Sequence, residues 1–290
     1  MKFTRYDSID ALGADTLEIL MENEVQNNLL ISFIRNERNA KTSDWILTTI
    51  KDDYGKVVLT ACCTPPFNLV VYETGNIPQE GAAELLAKEF KELGITIPGC
   101  LGEKNLAHRF AKIWTGGSEG EAYDVYVSMN CMQLDEISDF KRASGNSRPL
   151  AETDLYYVPY WETAFELECG VAHFTFNEFT EKLLKQTDSV RHRMDSGNHF
   201  IWEDGGSPVS QAYNHRNTEN GAGIGGVYTP QHLRGKGYGA SVVAQLSAHL
   251  LSKGHKFCFL FADAKNPISN GIYHKIGYYD VCVYDEIRFK

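Results

Sequence analysis

Apolar positions along the chain repeat in two rhythms, and the changes of rhythm mark out its elements. Leu17, Leu20 and Met21, then Leu29, Leu30, Phe33 and Ile34, return at helical spacing and predict helix through residues 10–36. Short β-favouring runs at 46–50 and 57–61 flank Asp52-Asp53-Tyr54-Gly55, a hairpin signal, and 67–72 reads as a third strand. A helix over 79–93 stops at Gly94, a short strand covers 95–98, and 103–114 is helical again. Val125, Val127, Met129 and Cys131 then alternate as in a half-buried strand over 123–132. The polar stretch 138–149 breaks both rhythms and reads as a linker, which divides the chain into 1–148 and 149–290.

Beyond it the pattern begins afresh. Helices are predicted over 153–168, where Pro159 should break or restart the helix, and over 177–194. Strands 199–203 and 209–213 flank the turn Asp204-Gly205-Gly206, and Glu219-Asn220-Gly221 turns the chain into a strand ending at Tyr228. A helix over 240–253, a strand over 256–262, a helix over 267–276 and closing strands from 278 to 289 complete it. With 290 residues, 43% of them hydrophobic, there is material for two cores.

Charge narrows the partners. A net charge of −10, spread over both halves, lacks the footprint of a nucleic-acid partner and favours a cationic substrate such as an amine. No apolar run reaches the length of a bilayer span and the N-terminus has no signal-like core, so the expected location is cytoplasmic, away from membranes. Seven cysteines, without metal-ligand spacing, read as reduced and mostly buried thiols, and no metal is expected. Monomer and homodimer stay equally open.

Two motifs carry the chemistry. In Gly226-Val-Tyr-Thr-Pro-Gln-His-Leu-Arg-Gly-Lys-Gly-Tyr-Gly239, a strand meets Pro230 and a glycine-spaced loop leads into a helix. Converging N–H groups at a helix N-terminus suit an anion such as a pyrophosphate. Lys236 is followed by Gly237, not Ser or Thr, which excludes a P-loop, and Gly235, Gly237 and Gly239 do not fit Gly-x-Gly-x-x-Gly. The second motif, within 261–278, is Asn266-Pro-Ile-Ser-Asn-Gly-Ile-Tyr-His-Lys-Ile-Gly-Tyr278: an N-cap with Pro267 behind it, an Ile268, Ile272, Ile276 stripe, and Gly277 as a stop.

Arg-x-x-Gly-x-Gly, read at Arg234, Gly237 and Gly239 and followed by Asn266, Asn270 and Tyr273, resembles the two CoA-contacting segments of the GNAT superfamily of acyl-CoA-dependent N-acyltransferases. The resemblance implies an α/β (α+β) fold with a mixed, mostly antiparallel sheet and flanking helices. It covers about 149–290, the expected catalytic domain, and is similar to the C-terminal part of glycine N-acyltransferase. The first half, 1–148, has a similar order of elements without the loop, as in a tandem GNAT with a degenerate N-terminal half; a plain accessory α/β domain fits equally well.

The resemblance further implies acetyl-CoA as cosubstrate and a small-molecule primary amine as acceptor, joined by direct attack. Backbone groups of Val227 and Tyr228 would meet the pantetheine arm, and the stretch Leu233, Arg234, Gly235, Lys236, Gly237, Tyr238, Gly239 and Ala240 the pyrophosphate. Asn266 and Asn270 are further CoA candidates, although capping alone explains Asn266. Tyr273 is the candidate general acid for the leaving thiolate. Strand 222–229 carries no carboxylate, which leaves Glu203 as a weak candidate base, with Tyr228 and a water chain beside it. The missing base also permits a non-catalytic acyl-CoA-binding or regulatory module.

Overall fold

The computed structural model describes residues 1–36, 44–76, 78–170 and 175–290. They form two compact units that interleave in sequence: Met1–Met132 with Phe261–Asn270 and Asp280–Lys290, and Gln133–Leu260 with Gly271–Tyr279.

The first unit contains β1 (Lys2–Tyr6), α1 (Ile9–Leu12), α2 (Ala14–Met21), α3 (Asn28–Asn36), β2 (Ile46–Lys51), β3 (Val57–Cys63) and β4 (Leu69–Glu73). It continues through α4 (Ala82–Glu92), β5 (Gly99–Glu103), α5 (Lys104–Thr115) and β6 (Tyr123–Leu134). The helix expected through 10–36 is three helices: Gly13, at φ 88°, separates α1 from α2, and beyond α2 polar side chains compete for the backbone. Asn27 Nδ2 donates to the Leu20 carbonyl at 2.9 Å and Asn28 Nδ2 to that of Val25 at 2.6 Å, which holds a turn between α2 and α3. The strand expected at 95–98 begins only after Pro98, which has no N–H to give a sheet.

The last strand of the chain, β12 (Tyr279–Phe289) in the element order, runs antiparallel to β5 and belongs to this unit. The sheet order is β1-β2-β3-β4-β5-β12-β6, with β4 and β5 parallel. Ile50, Leu59, Phe90, Phe110 and Ile287 fill the face under α4 and α5, while Leu20, Leu30, Leu47, Cys62 and Tyr72 fill the face under α2 and α3. Each such side chain contributes about 1.5–3 kcal/mol by burial. With both faces covered, β3 is buried along its whole length.

The second unit opens with β7 (Asn146–Pro149), α6 (Val158–Glu168) and α7 (Phe176–Ser196), then β8 (His199–Asp204), β9 (Ser207–Asn217), β10 (Gly221–Tyr228) and α8 (Tyr238–Ser252), and it takes the start of β11 (Phe257–Asp263) and the end of α9 (Pro267–Ile276), whose remaining residues fall in the first unit. Its sheet order is β11-β10-β9-β8-β7, antiparallel except for β10 and β11. Part of the expected linker is therefore strand β7, paired with β8 from Asn146↔Glu203 to Pro149↔Phe200. Pro159 does not break a helix. A 3₁₀ turn over Glu152–Tyr156 comes first, and Pro159 lies in the first turn of α6, where its missing N–H costs nothing. Each unit is thus a mostly antiparallel sheet flanked by helices. Among the described residues, no helix is long and apolar enough to cross a membrane.

Candidate functional site

The site builds outward from β10. Its register against β11 runs from Gly221↔Phe257 to Gly223↔Phe259 and then stops, so the strand parts from its parallel neighbour. Against β9 the register jumps from Gly225↔Tyr213 to Tyr228↔Gln211, so that Gly226 and Val227 together face Ala212. This is a β-bulge, and it re-aims the backbone of Val227 and Tyr228. Only glycine fits: Gly226 has φ 56°, and a Cβ there would lie 1.9 Å from the Tyr213 ring.

After Pro230, a 3₁₀ turn over Gln231–Leu233 leads to Arg234 and the glycine loop, and Gly237, at φ 84°, caps α8. The first helical bond is Ser241 N–H to the Gly237 carbonyl. The N–H groups from Gly235 to Ala240 have no hydrogen-bond partner among the described residues, and the first turn of α8 carries no acidic side chain. Unpaired N–H groups in series at the positive end of a 15-residue helix make a cradle for an anion. The segment before β7 backs this cradle. Ala143 N–H donates to Ser241 Oγ at 2.8 Å, and Ser144 Oγ and Tyr238 Oη both donate to Asp204. The Tyr238 bond, first, and that from Ser144 hold the Asp204 carboxyl below its usual range.

The polar side chains of the motif are already committed. Arg234 donates from Nε to the Thr229 carbonyl at 2.8 Å and from Nη2 to Glu168 Oε2 at 2.5 Å, and so braces the loop against α6. Glu168 also accepts from the Tyr228 hydroxyl at 3.2 Å. Lys236 is exposed, with its ammonium 6.0 Å from the centre of the Tyr238 ring. Asn266 Oδ1 accepts from Ser269 N–H at 3.1 Å, a cap worth about 1 kcal/mol. Asn270 Nδ2 reaches the carbonyls of Asp263 and Asn266. Both asparagines hold the turn from β11 into α9.

Tyr273 lies on the buried face of α9 with Asn270 and Ile276, at a three-residue interval; Ile268 of the expected stripe is 76% exposed. Its ring meets Tyr278 edge-on at 5.9 Å. Burial, with the nearby Cys169 thiol second, pushes its phenol up to about 12, so the hydroxyl keeps its proton at neutral pH. That hydroxyl makes no hydrogen bond among the described residues, which leaves its proton free to be donated.

Glu203 stands on β8 in an ion pair. Arg148 Nε donates to its Oε1 at 2.8 Å while the same guanidinium grips Asp154. Sequence reasoning missed Glu168, which ends a helix without any motif around it and reaches Tyr228 and Arg234 only through the fold. It also missed a polar cluster beneath α6 and α7. There Glu162 pairs with Arg193, whose guanidinium lies 4.1 Å over the Tyr213 ring that walls the bulge. His199 is fully buried beside them, and neither its ring nitrogens nor Gln211 Oε1 has a hydrogen-bond partner among the described residues. Desolvation drives His199 down to about 3 and His215 down to about 4, so both rings are neutral. The cysteines are free thiols, and among the described residues no cluster of three or more His, Cys, Asp or Glu is placed to hold a metal ion.

Comparisons with other proteins bear on the fold. Residues 206–286 match the model of the FR47-like protein family. A GCN5-related N-acetyltransferase from Sphaerobacter thermophilus is 13% identical over 99% of this chain and 95% of its own, with a TM-score of 0.64. A GNAT-family acetyltransferase from Colwellia psychrerythraea is 12% identical over the whole of both chains at 0.59. A tandem GNAT protein from the clavulanic acid biosynthesis pathway is 11% identical over 99% of this chain and 97% of its own, at 0.55. No curated protein sequence matches the chain. The protein thus has the fold of these GNAT acetyltransferases, with a segment in its second half that matches the FR47-like model.

Proposed function

We propose that the protein is an acyl-CoA-dependent N-acetyltransferase that moves an acetyl group from acetyl-CoA to a primary amine of a small molecule, and that residues 149–290 carry the catalysis. The observation that carries this reading is the unpaired N–H run from Gly235 to Ala240, set directly behind a bulged strand that parts from its neighbour. The cradle would take the pyrophosphate, with Lys236 adding charge. Val227 and Tyr228, re-aimed by the bulge, would hold the pantetheine arm.

In the reaction the amine nitrogen attacks the thioester carbonyl, the C–N bond forms, and the C–S bond breaks. Tyr273, with its proton held by burial, donates it to the departing sulfur. The amine must arrive neutral and lose a proton after attack. Each of the two candidate carboxylates is held by an arginine, Glu168 by Arg234 and Glu203 by Arg148, and for that proton Glu168 is better placed because it also touches the end of β10 through Tyr228. Localisation in the cytoplasm belongs to the same proposal.

The competing reading is a non-catalytic acyl-CoA-binding module, favoured by the absence of a carboxylate on β10. Calorimetry with acetyl-CoA, paired with a thiol-release assay over a panel of primary amines, separates the two. Tight acetyl-CoA binding with amine-dependent thiol release supports the enzyme. Binding without release on any amine selects the module, and no binding overturns both.

A further inference from the structure

The first unit, which lacks the glycine loop, carries an open cavity of about 710 Å³ on the face of its sheet covered by α3. Pockets that hold small organic ligands fall in the range of about 300–1,000 Å³, are mostly apolar, and carry a few convergent polar groups. This one fits that description. Leu29 and Phe33 of α3 form one wall, and Val70 and Leu101 on β4 and β5 form the floor. Phe67, 69% exposed, stands where the cavity meets solvent.

The polar groups come from β12 and the loop before β4. Glu286 lines the cavity with its side chain 25% exposed. Asn68 Nδ2 donates to Glu286 Oε1 at 2.9 Å, and Arg288 Nε stands 4.0 Å from the same oxygen. The guanidinium of Arg288 is instead laid over the Tyr126 ring, 3.3 Å from its centre. Glu286 Oε2 therefore has no hydrogen-bond partner among the described residues. Burial, only partly offset by Arg288 and Asn68, holds this carboxyl above its usual range. A carboxylate in an apolar wall with an unspent oxygen is costly unless something cationic meets it.

The geometry points to a binding site in the first unit for a small protonated amine with an apolar body, its ammonium on Glu286 Oε2 and its apolar part between Phe33, Val70, Leu101 and Phe67. Amine rather than carboxylate follows from the charge: the unspent oxygen belongs to a carboxylate, and the one guanidinium that lines the cavity, Arg288, already faces that carboxylate at 4.0 Å and lies over the Tyr126 ring. The site is separate from the acceptor reading above and does not depend on it.

The test is calorimetry on the full chain with three ligands of one shape: 2-phenylethylamine, 2-phenylethanol and 3-phenylpropionate. The amine should bind about ten-fold tighter than the alcohol, and the carboxylate should bind weakest. Glu286→Gln keeps the oxygen that Asn68 holds and removes the charge, so it should abolish the preference for amine over alcohol while acetyl-CoA binds as before. Phe67→Ala, at an exposed position that folding does not need, should weaken the amine and the alcohol together by a few-fold. Equal affinities for amine and alcohol, a preference for the carboxylate, or amine binding unchanged in both variants would each overturn the site. None of these results depends on turnover, so a failure of the acetyltransferase reading shows in thiol release and not here.

Discussion

In the first unit β4 ends at Glu73 and α4 begins after Gly81; in the second, β10 ends at Tyr228 and α8 begins after Gly237. Both caps are left-handed, at φ 82° and 84°, so the two loops enter their helices in the same way. What fills them differs. In the first unit the chain's own carboxylate occupies the loop: Glu73, 4% exposed, accepts from Gln79 N–H at 3.2 Å and pairs with Arg109, and Glu84 adds a second negative charge to the first turn of α4. In the second unit the N–H groups are unspent and the first turn carries no acid. A phosphate would be repelled at one loop and held at the other.

At one buried position the helices after the parallel strands differ by a hydroxyl. The seventh residue of α5 is Phe110 and the seventh of α9 is Tyr273, both on a buried face. The faces under the paired helices differ as well. Under α2 and α3 the hairpin of β2 and β3 presents Leu47 and Cys62, whereas under α6 and α7 the hairpin of β8 and β9 presents His199, Gln211 and Tyr213. Among the described residues buried polar atoms without a partner occur in both units, Asn27 Oδ1 and Thr60 Oγ1 in the first, but the second gathers them on His199 and Gln211 of one hairpin, and unsatisfied polar groups persist where function uses them.

The largest effect should come from making α9 like α5. Tyr273→Phe keeps the ring and its contact with Tyr278, so packing and acetyl-CoA affinity should hold, while the single-turnover rate falls by about two to four decades. An unchanged single-turnover rate would leave Tyr273 a core residue like Phe110. Next comes the cap. Gly237→Val forces a β-branched residue into a left-handed conformation and closes the cradle, and calorimetry should record an acetyl-CoA affinity about a hundred-fold weaker. Gly81→Val imposes the same strain on α4 and should leave that affinity alone; if it does not, the loops are not as different as their contents suggest. Glu168→Gln should lower the rate about ten-fold, because the residue braces Arg234 and is the carboxylate proposed to take the amine's proton. Glu203→Gln should change the rate by no more than about two-fold.

Much of this was legible in the sequence. The glycine loop, the Asn266-Pro267 helix start and the hairpin at 204–206 are local signals, set by dihedral preference and capping, and they stand where periodicity put them. The rest depends on partners distant in sequence. Nothing in 279–289 says which sheet it will join, since an alternating strand fits any sheet with an open edge; β5 takes it. Glu168 and Arg148 look like solvated charges until the fold brings them to Tyr228, Arg234, Glu203 and Asp154. The break in the helix expected through 10–36 was written in Asn27 and Asn28, whose amides outcompete the helix, and apolar spacing alone conceals it.

The polar face of the second unit also predicts a response to acid. His199 is driven down to about 3 and His215 to about 4, against about 6.5 in an unfolded chain. Between pH 6.5 and those values the unfolded state binds protons that the folded state refuses. Stability therefore falls as pH falls through that window, by up to about 1.4 kcal/mol per pH unit for each ring. His199→Phe keeps a ring of similar size and removes the titration, so its melting temperature should fall less steeply between pH 6.5 and 4.5 than that of the parent. Identical slopes would mean that His199 is not held neutral by burial, and the contrast with Leu47 would lose its meaning.

The smallest effect is also the most discriminating about the cradle. The second residue of α8 is Gly239 and the second of α4 is Ala83, so Gly239→Ala gives the second unit the residue the first already uses. The protein itself has room for it. Gly239 lies outside the left-handed region, and the added Cβ would meet Thr229 Oγ1 at 3.5 Å, an ordinary contact. Alanine also favours a helix over glycine by about 1 kcal/mol, so the variant should melt at the same temperature or slightly higher. Its acetyl-CoA affinity should nevertheless fall by about three- to ten-fold, because a methyl group beside the N–H run keeps a phosphate from the closest approach. A gain in stability with a loss of affinity is a combination that strain cannot produce, which separates this position from Gly237. If affinity stays level in the calorimeter, the phosphate does not come near Gly239, and the cradle is confined to the N–H groups before it.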